Sequence, residues 1–192
     1  MNISEEVFAE LPREVRVYIS KLEYDLWHDG LTGVLSRKPF IEICEQEIAY
    51  TKRLRTKGFA LLFVDINGFK EVNDTYGHLS GDKVLKEIAT RIRSSVRIED
   101  VVCRFGGDEF VILLRDVATK EESLPVINRL EKSMQEGLDI GTESKNVGIS
   151  VGVVFSTKET NSAEALLAAA DTLMYKAKQE KKDNITHFVF SE

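Results

Sequence analysis

The sequence predicts an α/β layer sandwich of the split βαβ kind, an α+β arrangement with a mixed, mostly antiparallel sheet and helices packed on one face of it. Three observations predict this fold. Apolar residues recur at helical spacing in some segments and form short strand-length runs in others. After the leading helices, these segments follow one another in the order β-α-β-β-α-β. A Gly-Gly pair between two of the runs is typical of a hairpin. The 192 residues suit one domain that needs no disulfide or structural metal.

A leading helix is predicted over residues 13–27, where Pro12 favours a helix start. Its apolar residues form a heptad-like stripe at 4-3-4 spacing: Val15, Ile19, Leu22 and Leu26. Two heptads are too few to establish a coiled coil, so packing on a partner and docking on its own domain are both open. We treat residues 1–28 as a leader and 29–192 as the domain proper.

The remaining elements follow in order. After the turn-rich segment 29–33, a second helix is predicted over 36–57 and ends before Gly58. The continuous apolar run 59–66 is typical of a buried central strand that leads into a loop. A third helix is indicated by Val84, Leu85, Ile88, Ala89 and Ile92.

Strands are predicted over 101–105 and 110–114, on either side of Gly106 and Gly107. Both central residues of a type I′ turn need positive φ, so this glycine pair predicts a tight antiparallel hairpin. A fourth helix, a strand, a fifth helix and a last strand are predicted to follow: 119–137, 146–155, 162–179 and 185–190.

The net charge of the chain limits which anionic molecules it is expected to bind. The chain carries 26 Lys and Arg against 32 Asp and Glu, a net charge of −6, which disfavours non-specific binding to nucleic acid or to an anionic membrane. An anionic partner is therefore expected to be small. No apolar run approaches the roughly 18 residues of a transmembrane helix. The acidic N-terminus does not resemble a signal peptide, and two cysteines suit a reducing compartment, so we expect a cytoplasmic protein.

Two motif matches do not carry a function. Residues 148–152 match G-x-S-x-G, and Asp171 and His187 follow in the order of a hydrolase triad, but the valines after Ser150 continue a strand instead of turning into a helix. An EF-hand loop counted from Asp65 is excluded, because Lys70 stands where glycine is required. Neither common phosphate-binding loop is present.

Two acidic clusters at strand ends carry the chemical signal. Asp65 ends the central apolar run, and Asp108 and Glu109 follow the glycine pair. Antiparallel neighbours would bring the clusters together, and converging carboxylates repel one another unless a cation lies between them. Mg²⁺ prefers one or two carboxylates together with water and phosphate, which predicts metal-assisted phosphoryl or nucleotidyl transfer. The alternative for either cluster alone is a solvated turn.

A nucleotide site fits beside these carboxylates. Gly106 and Gly107 lack a Cβ and let a flat nucleotide approach the backbone. Asn73 and Asp82 suit guanine, which offers an N1 proton and an N2 amino group on one edge where adenine offers neither. The alternative for Asp82 is a helix-dipole role. The positive charges available to a phosphate chain are Lys70, Lys178 and Lys182. The alternative is that these lysines are simply solvated.

Five segments, in order, resemble the motifs of GGDEF-domain diguanylate cyclases, and the resemblance runs from residue 29 to about residue 184. They are the entry motif 29–37 (DGLTGVLSR), the nucleotide segment 65–82 (DINGFKEVNDTYGHLSGD), the signature hairpin 104–110 (RFGGDEF), the strand 150–153 (SVGV) and the helix 170–178 (ADTLMYKAK). This resemblance implies a palm-like catalytic domain over 29–192, with helices packed around its central sheet.

The resemblance also implies roles for single residues. Asp65 and Asp108 would hold Mg²⁺ or Mn²⁺, with the carbonyl of Ile66 as a further ligand. Asn73 and Asp82 would read guanine. Asp108, Glu109 and Lys70 are the implied catalytic residues, with Glu109 supporting the metal and phosphate site. The groups implied to face the triphosphate are the backbone of Phe69 and the side chains of Lys70, Lys178 and Lys182.

The implied reaction needs two copies. Each domain of an antiparallel homodimer binds one GTP, and each 3′-hydroxyl attacks the other α-phosphate, which releases two pyrophosphates and closes cyclic di-GMP. Arg97 and Asp100 lie just before the signature hairpin and resemble the family's R-x-x-D product-inhibition site; a surface ion pair is the alternative.

This sequence departs from the family pattern in three places. Asn67 replaces a second Asp, Ser36 replaces an Asn, and residues 181–183 replace Gly-Arg-Asn. Lys182 keeps the charge of the usual Arg without its planar fork, which is expected to reduce triphosphate affinity.

Two other functions compete with the enzyme. One is a catalytically silent GGDEF module that binds cyclic di-GMP at Arg97 and Asp100 and signals through the leader helix. The other is a generic structural α/β module, which does not explain the ordered motifs. The acidic and amide residues retained at the implied site favour the enzyme.

Overall fold

The structure is a computed structural model that describes residues 5–54, 57–139, 144–180 and 186–191. Its helices are α1 (Glu5–Glu10), α2 (Arg13–Trp27), α3 (Arg37–Leu54), α4 (Phe69–Tyr76), α5 (His78–Ser95), α6 (Lys120–Met134) and α7 (Ala163–Glu180). Its strands are β1 (Leu35–Ser36), β2 (Ala60–Ile66), β3 (Val101–Arg104), β4 (Glu109–Leu114), β5 (Leu138–Asp139), β6 (Ser144–Lys145), β7 (Ile149–Phe155) and β8 (His187–Phe190).

Six strands form one sheet in the order β1-β3-β4-β2-β7-β8. The central strand β2 pairs antiparallel with β4 on one side and with β7 on the other. β3 pairs antiparallel with β4, whereas the edge strands β1 and β8 run parallel to β3 and β7. β5 and β6 form a separate two-stranded ribbon. The predicted mixed, mostly antiparallel sheet is confirmed.

Helices cover both faces of this sheet, which confirms a palm-like domain with helices packed around it. The narrower expectation of helices on one face is wrong. Alternate side chains of β2 enter two different cores. Leu62 and Val64 pack with α4, α5 and α6, and Leu61 and Phe63 pack with α3 and α7. All seven residues of β2 are buried as a result, which is the reason for its continuous apolar sequence.

The segment after β2, predicted as a loop, contains the short helix α4. Gly68 precedes it with φ +72° and Gly77 ends it with φ +81°, and both values favour glycine. Pro125 does not interrupt α6, whose N-terminus is capped by Thr119: its Oγ1 accepts the N–H of Glu122 at 3.3 Å. The described ends of the other predicted elements differ by at most three residues.

The leader helix α2 begins at the predicted residue, after Pro12, and buries none of its side chains. Leu22 and Leu26 of its apolar stripe are 44% and 74% exposed. The stripe is thus largely exposed in the described part of the chain, and docking on its own domain and packing on a partner both remain predictions. Within the described ranges, no helix is both long enough and apolar enough to cross a lipid bilayer.

Candidate active site

The carboxyl end of β2 lies beside the amino end of β4, and this junction gathers the predicted acidic residues. Asp65, which is 4% exposed, is the register partner of Glu109. The N–H of Ile66 donates to the carbonyl oxygen of Asp108 at 3.3 Å. Directly opposed residues of an antiparallel ladder have Cβ atoms about 5 Å apart. Two motifs that are distant in sequence are therefore adjacent in the fold.

The electrostatics of Glu109 show how closely carboxylates gather at this junction. Burial raises the pKa of the Glu109 carboxyl. Three neighbouring negative charges raise it further: Asp108, Asp171 and Asp65. Sequence analysis did not place Asp171 in the site, because nothing in its spacing relates a residue of α7 to the end of β2. An accumulation of carboxylates of this kind favours a cation.

Lys178 supplies a positive charge at the junction. It lies on α7, and its Nζ is 2.8 Å from Oδ1 and 2.8 Å from Oδ2 of Asp65. The Lys178 side chain is 39% exposed, whereas that of Asp65 is 6% exposed. The structure thus places Lys178 on a predicted metal ligand, although the sequence analysis assigned it to the triphosphate.

The predicted guanine pair lies where α4 meets α5. The Oδ1 of Asn73 is 2.0 Å from the point that a Cβ on Gly81 would occupy, so a larger residue at 81 would require the Asn73 side chain to move. The ring of Phe69 lies 3.3 Å from the same point. Asp82 follows Gly81 in α5 and is half-buried. Lys70 is exposed on α4.

The loop between β3 and β4 is not the predicted type I′ turn, because neither Gly106 nor Gly107 has positive φ. The N–H groups of Phe105 and Gly106 both donate to the carbonyl of Glu109, at 2.8 and 3.4 Å. The Glu109 carboxylate lies over Gly106, and a Cβ on Gly107 would meet no atom within 4 Å. The expected open backbone surface is thus present at Gly107.

Arg104 holds this loop in place, a contact that sequence analysis missed. Its Nε and Nη2 donate to the carbonyl of Gly107 at 3.1 and 2.7 Å, and its Nη1 lies 3.2 and 3.3 Å from the two carboxylate oxygens of Asp29. The opposite charges of these residues were the available signal. No spacing rule relates the entry motif to the hairpin.

The structure explains Asn67, which replaces the family's second Asp, and Ser150, which belongs to the false G-x-S-x-G match. Both are buried, and the Ser150 hydroxyl donates to Oδ1 of Asn67 at 2.8 Å. Asn67 thus ties the start of the polar segment to β7. Ser150 lies inside that strand, so the hydrolase reading of residues 148–152 fails as expected.

The Arg97–Asp100 turn lies before β3, away from the acidic junction. The carboxylate of Asp100 accepts the backbone N–H groups of Arg97 and Arg115, at 2.8 and 3.1 Å, and is 5% exposed. The Arg97 side chain is 59% exposed, with Nη1 4.0 Å from Glu99. A cavity of about 520 Å³ opens beside this turn, between α5 and the entry loop.

The junction offers a divalent cation few protein ligands. Among the residues that the structure describes, no three His, Cys, Asp or Glu side chains are grouped to hold a metal. Mg²⁺ commonly takes only one or two carboxylates, with water and phosphate completing its octahedron. The carboxylates of Asp65 and Asp108 with the carbonyl of Ile66 fit that habit. Lys182 lies outside the described residues.

The fold and this acidic junction define an α/β domain whose candidate active-site side chains lie at the carboxyl end of its central strand β2. The family model "Diguanylate cyclase, GGDEF domain" matches residues 26–184. The chain belongs to this GGDEF-domain family.

Among relatives, it is 37% identical over 84% of its length to the cyclic di-GMP phosphodiesterase NbdA of Pseudomonas aeruginosa, and 34% identical over 85% to the diguanylate cyclase TpbB of the same species. The chain spans 20% of NbdA and 38% of TpbB. Among solved structures, the diguanylate cyclase SiaD of Pseudomonas aeruginosa, in complex with its activator SiaC, matches at TM-score 0.80 and 32% identity. That match covers 93% of this chain and 67% of SiaD.

Proposed function

We propose that this domain condenses two GTP molecules into cyclic di-GMP and two pyrophosphates, as one half of an antiparallel homodimer. The observation that carries the proposal is the register of β2 and β4, which sets Asp65 opposite Glu109 and beside Asp108. Similarity to proteins named diguanylate cyclases over most of the chain supports it. A structural module would not need charged groups gathered at a buried strand end.

Substrate selection would come from the crossing of α4 and α5. Asn73 and Asp82 would supply an amide and a carboxylate, which match the donors on the guanine edge. Lys70 and the backbone of Phe69 would face the triphosphate, together with Lys178 and Lys182. The base would lie near the open backbone of Gly107.

Asp65, Asp108 and the Ile66 carbonyl would hold Mg²⁺ or Mn²⁺. When bound, such an ion acts as a Lewis acid and favours ionisation of the attacking hydroxyl. Glu109, placed beside Asp65 and against Gly106, would position the metal ligands and the phosphate groups. Each domain provides one nucleotide site, so both new phosphodiester bonds require a second copy, which supplies proximity.

Arg97 and Asp100 would form the product-inhibition site, in which Asp100 shapes the turn and Arg97 contacts the ligand. Asp100 holds two backbone N–H groups and so shapes the turn. The Arg97 side chain is 59% exposed, and its planar fork would meet a guanine edge or a phosphate. Asp100 lines the 520 Å³ cavity.

Purified protein incubated with GTP and Mg²⁺ should form cyclic di-GMP, measured by chromatography and mass spectrometry. Asp108→Asn should abolish product formation while cyclic di-GMP binding persists. Asp116→Asn is the matched control, since Asp116 is exposed just past the opposite end of β4, and it should leave turnover unchanged. If a covalently joined dimer binds cyclic di-GMP but never makes it, the domain is a receptor and the enzyme proposal is wrong.

A further inference from the structure

The ammonium of Lys178 occupies the side of the Asp65 carboxylate on which both oxygens face a bound cation. The ammonium lies 2.8 Å from each carboxylate oxygen, and so sits across the open side of the carboxylate. Mg²⁺ binds carboxylate oxygens at about 2.0–2.1 Å. A divalent cation that binds Asp65 on this side of the carboxylate therefore requires Lys178 to leave, both for space and because the two positive charges repel.

Removal of Lys178 without a new partner is unfavourable for the junction. A metal that arrived alone would exchange an existing ion pair for a new one and leave an ammonium facing a dication. The Lys178 side chain is partly exposed and flexible, so it can turn outward, and its ammonium donates equally well to phosphate oxygens. A triphosphate beside the junction would give it a polyanionic partner.

We infer that Lys178 is a resident counter-ion that occupies the metal site until a nucleoside triphosphate arrives, and so makes metal binding depend on the nucleotide. Lys178 is then a positioning residue with two alternative partners, Asp65 before substrate binding and phosphate afterwards. Because such coupling is reciprocal, the metal must strengthen nucleotide binding by the same factor. This inference rests on the proposed function for the identity of the site.

Binding of Mn²⁺ to the full chain, followed by electron paramagnetic resonance at pH 8, tests this exchange without turnover. In the absence of nucleotide, the wild type should bind Mn²⁺ weakly, and Lys178→Met should bind it about tenfold more tightly. Addition of 3′-deoxy-GTP, which lacks the attacking hydroxyl, should tighten Mn²⁺ binding strongly in the wild type and little in Lys178→Met. Lys176→Met, an exposed lysine on another face of α7, should behave as the wild type.

Thermal melting gives a second readout. Lys178→Met leaves Asp65 without this ion pair, so the variant should melt lower without metal and gain more from Mn²⁺ than the wild type does. Lys178→Arg keeps the charge and should keep Mn²⁺ binding weak.

Equal or weaker Mn²⁺ binding by Lys178→Met, tight binding by the wild type without nucleotide, or no binding by either protein would overturn the inference. Asp65→Asn separates the two proposals: Mn²⁺ binding that survives this change shows that the metal assignment is wrong. If the coupling is present but GTP yields no cyclic di-GMP, the cyclase proposal alone fails.

Discussion

Asp29, Arg104 and Gly107 form a chain of contacts from the entry motif to the glycine loop. The carboxylate of Asp29 also accepts the backbone N–H and the hydroxyl of Thr32, at 2.9 and 2.6 Å. Burial alone would raise the pKa of Asp29, but the hydrogen bonds from Thr32 and the nearby Arg104 outweigh it, and the pKa is lowered. The start of the domain and the loop beside the acidic junction are thus held by one carboxylate.

Asp29→Asn should lower the free energy of unfolding by about 1 kcal/mol at pH 7, because a partly buried ion pair with charge-assisted hydrogen bonds is lost. A lowered carboxyl pKa stabilises the fold above the ordinary value of 3.8 and loses that effect as the pH falls through the folded value. The difference between wild type and variant in urea denaturation should therefore shrink as the pH falls below 3.8. A difference that stays constant with pH would contradict the assignment.

Gly107→Ala separates folding from nucleotide binding. The φ of Gly107 is not positive and a Cβ there meets nothing, so the melting temperature should stay within about 2 °C of the wild type. Affinity for GTP, measured by calorimetry, should fall several-fold if the nucleotide lies on this backbone. Gly30→Ala, at another glycine with open space, is the control and should change neither quantity.

At the scale of elements, α7 positions both Lys178 and Asp171, and its own position depends on Gly152 of β7. A Cβ at Gly152 would lie 2.0 Å from the carbonyl oxygen of Ala170 and 2.3 Å from the backbone nitrogen of Met174. The helix backbone therefore rests directly on the strand. Since backbone atoms cannot turn aside as a side chain can, any larger residue must displace the helix.

Gly152→Ala should destabilise the fold by about 2–4 kcal/mol through overpacking, and should reduce turnover further than the loss of folded protein explains, because α7 carries Lys178. Chemical denaturation and activity per folded molecule measure the two effects. Unchanged stability would show that α7 does not rest on β7 as described.

Prediction from sequence succeeded where one local pattern decides the structure. The apolar run of β2 and the spacing of α5 and α7 were recognised because burial on two faces, or on one stripe, leaves a periodic record. It failed where tertiary contacts decide. The polar segment after β2 forms α4, which packs on α5 where Asn73 lies close to Gly81, a contact with no periodic signature. The type I′ turn was wrong because the backbone of the loop bonds to Glu109 and Arg104.

The same division holds for the site. Strand pairing predicted that Asp65 would meet Asp108 and Glu109, since antiparallel neighbours share their ends. Asp171 and the contact of Lys178 with Asp65 depend on how α7 lies across the sheet, which no sequence spacing records.

At the scale of the whole molecule, the domain buries two cores around one sheet, while α2 extends with its apolar stripe exposed. Val15, Ile19, Leu22 and Leu26 share one side of this helix, whereas Val17 lies on the other. A stripe that the domain does not cover suits a second copy of the helix.

Leu22→Glu should change the melting temperature little, because Leu22 is 44% exposed on a helix that has no buried residue, but should weaken self-association and lower the turnover per molecule at low protein concentration. Val17→Glu adds the same charge at a residue 61% exposed on the opposite side and should do neither. Sedimentation velocity and initial rates over a dilution series measure both effects. Equal behaviour of the two variants would exclude the stripe as the contact.

Every residue of β2 is buried, and Asp65 is the sixth of its seven. A change that moved Asp65 away from the acidic junction by loosening this strand would also unfold the core. The nucleotide and metal site that we propose for one domain therefore stays assembled in each separate molecule. Under the proposed function, control over synthesis would then depend on events outside the domain: how often two copies collide, and whether their glycine loops face one another when they do.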